Sequence, residues 1–212
     1  MLTSLVVTAV AAYILGSIPT GYLVGRARGL DLRALGSGNI GATNALRVLG
    51  RGPGTFVLIV DALKGFLACT LVPHLVQRAL GPAWASVSPA ILPVVGGTFA
   101  VLGHNFTIWL RFKGGKGVAT SAGVLAGLLP VALAVVLAVF LFVLAVSRWV
   151  SLGSLAAAAA LPPVTWVIRR DPVLLGFAVV LAVLVFWRHR ANIHRLWAGT
   201  EPRIGARKPP AP

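Results

Sequence analysis

Carboxylates are almost missing from this chain. Its 212 residues include four acidic side chains, Asp31, Asp61, Asp171 and Glu201, against 19 Lys and Arg. Cysteine occurs once, at Cys69. A single cysteine forbids a disulfide within the chain and removes any Cys-based metal site. The four acids and four His show no H-E-x-x-H or similar spacing, so no metal and no cofactor is expected. Charge of either sign is thin, at 11% of residues, against about 25% in soluble domains.

What fills the chain is hydrophobic, 58% of it, in apolar runs at 3–25, 54–77, 86–108, 117–146, 150–168 and 172–187. Roughly 18 to 20 apolar residues cross a bilayer, and several runs reach that length. The fold class is therefore all-α, a polytopic membrane protein. Nothing between the runs is long enough to bury a soluble core, which predicts one domain over 1–212, with a disordered tail from about 206. The opening "MLTSLVVTAVAAYILG" lacks the positive n-region of a signal peptide and reads as the first membrane helix.

The run at 117–146 is too long for one span. Thirty helical residues extend about 45 Å, while the hydrocarbon core is about 30 Å thick. Pro130 lies inside it and divides it into two short helices. Charge supports the division. With two helices there and the N-terminus outside, fifteen of the 19 Lys and Arg lie inside. Three (Arg78, Arg169 and Arg170) lie outside, and Lys64 falls within a span. With one helix the count becomes ten against eight. The positive-inside rule thus favours seven transmembrane helices, N-out and C-in. The same rule explains most of the net charge of +15. The basic residues are scattered between spans and form no stripe, so no nucleic-acid partner is expected.

This topology places three polar, glycine-bearing segments, 26–52, 111–117 and 188–205, on the cytoplasmic face, where they are expected to converge. The first contains "LRALGSGNIGATNALRVLGRG". Its G-x-G-x-x-G spacing matches a dinucleotide loop, but the βαβ context such a loop needs is missing. Its local chemistry still suits an anion. Gly36, Gly38 and Gly41 free the backbone to form a nest of N–H groups. Ser37, Asn39, Thr43 and Asn44 add neutral donors, and Arg47 adds a fork-shaped cation. A plain turn needs one or two such residues, and this segment has all of them.

The second segment is "GHNFTIWLRFKGGKGVATS". Walker spacing fails here, because Gly117 follows Lys116 where Ser or Thr is required, and Leu110 stands where the first glycine belongs. Lys113 and Lys116 on the Gly114, Gly115 and Gly117 turn, leading into a helix, still make an anion trap. His104 is equally readable as a packed polar residue. In "SRWVSLGSLAAA", Ser151 and Ser154 share a helix face, although Ser151 also fits a cap. His189, Arg190, Asn192 and Arg195 follow the last span; alone they read as a basic juxtamembrane tail. Asp61 and Lys64, at i and i+3 inside a span, make an economical buried pair, and Lys64 is also long enough to snorkel toward the cytoplasmic loops.

Taken together, "GSIPTGYLVGR", "GSGNIGATNALRVLG", "DALKG", "GHNF…FKGGKGVAT", "SLGS" and "HRANIHRLWAGTEPRIG" resemble the bacterial acyl-phosphate:glycerol-3-phosphate acyltransferase family, PlsY, over about Gly16 to Gly205. Two positions depart from the family pattern. Ala191 stands where an acid is expected, and Phe106-Thr107 where Phe-Pro is expected.

The resemblance implies seven helices with a cytoplasmic site in the bacterial inner membrane. It implies transfer of a fatty acyl group from acyl phosphate to the 1-hydroxyl of glycerol 3-phosphate, giving lysophosphatidate and phosphate, the first acylation of phospholipid synthesis. Neither acyl-CoA nor acyl carrier protein is the direct donor. In agreement, no His in the chain has an Asp five positions later, the His-x4-Asp of other glycerol phosphate acyltransferases.

On this reading Ser37, Gly38, Asn39 and Arg47 hold one phosphate. Lys116, Ser154 and Lys113 hold the other. His189 and Asn192 orient the acceptor, and the hydroxyl proton goes to His189, to His104 or to the donor's own phosphate. Without a loop cysteine, direct attack is expected in place of a thioester intermediate. Two other functions fit the composition, a transporter of an anionic metabolite and a lipid-binding scaffold. A transporter should show charge on both faces or at the midplane, and a scaffold has no need of three glycine-rich polar loops.

Overall fold

The structure is a computed structural model and describes residues 2–81 and 90–205. Helices dominate these residues and no strand occurs among them. In chain order they are α1 (Leu2–Ser17), α2 (Thr20–Arg26), α3 (Ala42–Leu49), α4 (Arg51–Leu80), α5 (Ile91–Asn105), a 3-10 turn (Ile108–Leu110), α6 (Val118–Leu128), α7 (Pro130–Ser147), α8 (Val150–Arg169), α9 (Pro172–Arg188) and α10 (Arg190–Trp197). The start of the apolar run expected at 86 and the tail expected from 206 lie outside the described residues.

Among the described residues five stretches are long and apolar enough to cross a membrane: Leu2–Arg26, Arg51–Leu80, Ile91–Leu110, Pro130–Ser147 and Val150–Arg169. The α9–α10 pair makes a sixth, bent by 58°. Outward-facing side chains such as Phe56, Leu141, Phe142 and Val146 are bulky, apolar and exposed. A patch of that extent belongs against lipid.

Two breaks differ from the sequence expectation, and each has a local cause. The first run is interrupted between α1 and α2, where Pro19 supplies no N–H. The run at 117–146 does split at Pro130, which becomes the first residue of α7, but only one product is short. α6 has 11 residues, whereas α7 has 18 and continues until Arg148 turns left-handed at φ 61°.

Small residues bring the central helices together. A Cβ on Gly65 would run into the Thr120 backbone and one on Gly123 into that of Ala62, so α4 and α6 touch through their backbones, as membrane helices often do. Gly16 of α1 meets Ala100 of α5 in the same way. Larger side chains from α5, α6, α7 and α9, among them Val101, Leu125, Val136 and Phe177, build the core beside them. The ends of α5, α7 and α9 and the starts of α6 and α8 gather at one pole, where Arg188 reaches Gly114 and Trp149 reaches Glu201, and Lys64, in the middle of α4, reaches Ile18 at the α1–α2 break.

Candidate active site

Consider first the loop before α3. Gly36 and Gly38 lie in the left-handed region at φ 61° and 71°, which only glycine enters without strain. Asn44 is buried and fully committed to holding this loop. Its Nδ2 donates to the carbonyls of Leu32, Leu35 and Asn39, and its Oδ1 accepts from Ser37 N at 2.8 Å. Asn39 Oδ1 accepts from Gly41 N, also at 2.8 Å. The N–H groups of Ser37, Gly38 and Gly41 are therefore satisfied inside the loop. The expected nest is in large part a self-bonded turn, and Asn44 is its brace and not a ligand. The Ser37 and Thr43 side chains and the Arg47 guanidinium remain exposed. Thr43 and Arg47 lie four apart on α3 and share a face.

The second segment is held from beneath. Gly114 N donates to the Asn105 carbonyl and Gly115 N to that of His104. Arg188, at the end of α9, donates from Nε to Gly115 O at 3.0 Å and from Nη2 to Gly114 O at 2.8 Å. Gly117 starts α6 with φ 76°. Lys113 is exposed, whereas Lys116 turns inward and donates from Nζ to Asn192 Oδ1 at 2.5 Å.

That amide is one arm of a hub on Glu201. Glu201 Oε1 accepts from Asn192 Nδ2 at 2.6 Å and from Ser151 Oγ at 2.7 Å, and Oε2 accepts from Arg195 Nε at 2.7 Å. The Glu201 carbonyl accepts from Trp149 Nε1. Burial raises the Glu201 carboxyl, but hydrogen bonds from Asn192, Ser151 and Arg195 outweigh it and hold the group below its ordinary range. Sequence reading passed over Glu201, although a lone acid within a run of cations was the available signal. Arg188 was missed as well, counted only as a cytoplasmic charge.

Ser154 is buried one turn beyond Ser151, and its hydroxyl donates to Val150 O at 2.9 Å, so as placed it can only accept from another group. His189, at the α9–α10 bend, has Nδ1 2.8 Å from the Val185 carbonyl. A carbonyl only accepts, so in the neutral ring Nδ1 carries the hydrogen and Nε2 keeps its lone pair. Arg190 is exposed and packs its guanidinium over Trp187, away from the hub.

Lys64 and His104 belong to a different cluster. Lys64 Nζ lies 2.8 Å from Asp61 Oδ1 and donates to the Ile18 carbonyl freed at the α1–α2 break. Thr20 Oγ1 donates to Asp61, and His104 Nδ1 lies 3.7 Å from it. Lys64 thus closes a buried pair and does not snorkel to the loops. The other edge of the His104 ring faces Gly115 from behind.

The structure joins two of the three expected segments directly, through Lys116–Asn192 and through Arg188–Gly114/Gly115. Among the described residues no hydrogen bond ties the third, with Arg47, to either of them. Among the described residues no group of His, Cys, Asp and Glu could hold a metal ion.

Burial pushes the Lys116 ammonium down from 10.5 to about 8; Glu201 pulls it up, and Arg195, Arg188 and Arg47 push it down. A lowered lysine loses its charge as pH rises through the folded value. If Lys116 binds a phosphate, kcat/KM should fall above about pH 8. In Lys116→Arg, whose guanidinium stays charged, that fall should disappear or move upward. The check is kcat/KM for both proteins across that range.

Comparison with known proteins gives a consistent result. The family model described as "Glycerol-3-phosphate acyltransferase" matches residues 6–199. A protein of that name from Geobacter sulfurreducens is 52% identical over 206 residues, covering 97% of this chain and all of its own length. One from Thermosynechococcus vestitus is 49% identical, covering 93% of this chain and 94% of its own. Two crystal structures of PlsY (YgiH), described as an integral membrane glycerol 3-phosphate acyltransferase, share the fold. The glycerol 3-phosphate form has a TM-score of 0.84 at 36% identity, and the lysophosphatidic acid form 0.81 at 35%. Both cover 95% of this chain and 96% of the solved one.

Proposed function

The chain belongs to the glycerol-3-phosphate acyltransferase family, and from that premise we propose that it draws its acyl group from an acyl phosphate at a cytoplasmic pole of the bacterial inner membrane. It is a multi-pass membrane acyltransferase of phospholipid biosynthesis, and glycerol 3-phosphate is its acceptor. The observation that carries the donor reading is the state of Lys116. Its half-buried ammonium is met by a neutral amide oxygen and by no carboxylate among the described residues. The nearby carboxylate, Glu201, is occupied by three donors. A cation so placed is free to bind a phosphate without displacing an ion pair.

Two substrate phosphates need two cationic stations. Arg47, with Ser37 and Thr43, forms the exposed one, braced by Gly36, Gly38, Asn39, Gly41 and Asn44. Lys116 forms the half-buried one, with Lys113 at its rim and with Ser154, Ser151 and Arg195 around it. Between them the acceptor's 1-hydroxyl oxygen attacks the acyl carbon. A new C–O ester bond forms, the acyl C–O bond to phosphate breaks, and inorganic phosphate leaves. The hydroxyl proton ends on that phosphate, either directly or by way of His189, whose Nε2 keeps its lone pair in the neutral ring. Because acyl phosphate is a mixed anhydride with a good leaving group, positioning and charge stabilisation suffice.

The apolar tail has a place beside the hub. A groove of about 370 Å³ opens between Trp149, Leu152 and Leu155 on one side and Phe186, Ile193 and Leu196 on the other. Its lining is apolar, as an acyl chain requires.

For topology we propose seven membrane helices, N-out and C-in: the six spanning stretches and α6, whose 11 residues extend about 16 Å and complete one crossing only together with the break before α7. Donor identity is tested with purified protein and labelled glycerol 3-phosphate. Acyl phosphate should give lysophosphatidate and one phosphate per product. Product formed at a comparable rate from acyl-CoA would defeat the proposal.

A further inference from the structure

We infer that Arg188 is a positioning residue that keeps the loop of Lys116 in register with His189 and Asn192. The inference rests on the reading that Lys116 holds a substrate phosphate.

Two observations carry it. Arg188 spends both arms of its fork on consecutive carbonyls, Gly114 and Gly115, immediately before Lys116. Its guanidinium also lies over the Phe106 ring, whose centroid is 5.4 Å away, and Phe106 in turn packs on Trp187. Gly114 and Gly115 have no side chain to anchor them; apart from the Arg188 fork they are held by their own N–H bonds to the Asn105 and His104 carbonyls and by close packing on the end of α5.

The consequence is a two-point lock across the 58° bend. Before the bend, Arg188 grips the loop backbone; after it, Asn192 grips the Lys116 side chain. His189 lies between the two grips. Slack at the first grip would let Lys116 move relative to His189 even with the Asn192 contact intact. A displacement of about 1 Å at such a site costs on the order of 10²-fold in rate. A fork is needed for this and a point charge is not enough, because an ammonium cannot reproduce two parallel N–H···O bonds at fixed spacing.

Arg188→Lys keeps the charge and loses the fork, and Arg188→Gln loses both. For each, kcat, KM for glycerol 3-phosphate, the pH dependence of kcat/KM and the melting midpoint in detergent are measured. The lock predicts that both variants lose kcat on the order of 10- to 100-fold at an unchanged midpoint, with KM moving much less. Arg188→Lys turning over within about twofold of wild type would mean that charge alone matters and would end the inference. So would a loss of rate that simply tracks a fallen midpoint. If Arg188→Gln cannot be purified, Arg188→Lys decides alone. Failure of the underlying reading is separate, since it would appear as retained turnover in Lys116→Ala.

Discussion

Replacing Lys116 by alanine is expected to lower kcat/KM by about 10²- to 10³-fold while leaving the folded, detergent-extracted yield unchanged. The size follows from burial. Lys116 lies inside the pole, where the ammonium is already partly stripped of water, and a charge in such a place acts on a phosphate through a low effective dielectric. Arg47 is a cation of the same sign on an exposed helix face. Water and salt screen it more, so Arg47→Ala should cost less than Lys116→Ala. The order is the measurement: parallel kinetics on the two variants at low and at raised salt. A larger loss at Arg47 would place the tighter phosphate at α3. Salt should weaken the wild type chiefly through the Arg47 station.

The largest effect on stability is expected at Asp61. Its carboxylate and the Lys64 ammonium are buried together inside α4, 2.8 Å apart, each completed by one further partner, Thr20 and the Ile18 carbonyl. Removing one member leaves the other charged, buried and unpaired. Asp61→Leu should therefore destabilise the fold by about 3 to 5 kcal/mol, visible as a marked fall in the thermal midpoint in detergent. Lys64→Met should do the same. The double variant, which buries no charge at all, should recover most of the loss, because well-packed apolar replacements of a buried pair are often neutral. A double variant as unstable as either single one would mean that the cluster matters through Thr20 and Ile18, at the α1–α2 break, more than through charge.

Much of this architecture was legible in the residues. Pro130 announced the division of an over-long run because a proline lacks the N–H that a continuing helix needs. Asp61 and Lys64 announced each other because neither tolerates lipid alone. The loop glycines announced unusual backbone, and Gly36, Gly38 and Gly117 do have positive φ. What stayed hidden was which polar group serves the substrate and which serves the protein. Asn44 and Ser37 look alike as loop donors, yet one braces the loop with four hydrogen bonds and the other points outward. Glu201 was hidden for a related reason. A carboxylate near anionic substrates looks unhelpful until its three donors are seen to neutralise it. Arg188 was hidden because the positive-inside rule accounts for a cation without asking what its fork holds.

The hub around Glu201 also sets an order of events in the making of this protein. Lys116 leads into α6 and Ser151 starts α8, but their common organiser comes after α10, beyond every helix that enters the membrane. A chain that has inserted all its spans but has not yet yielded residue 201 carries Asn192 and Ser151 without the carboxylate that accepts from both. The hub closes only when the segment beyond its final helix folds back to the start of α8 and brings the carboxylate against Ser151.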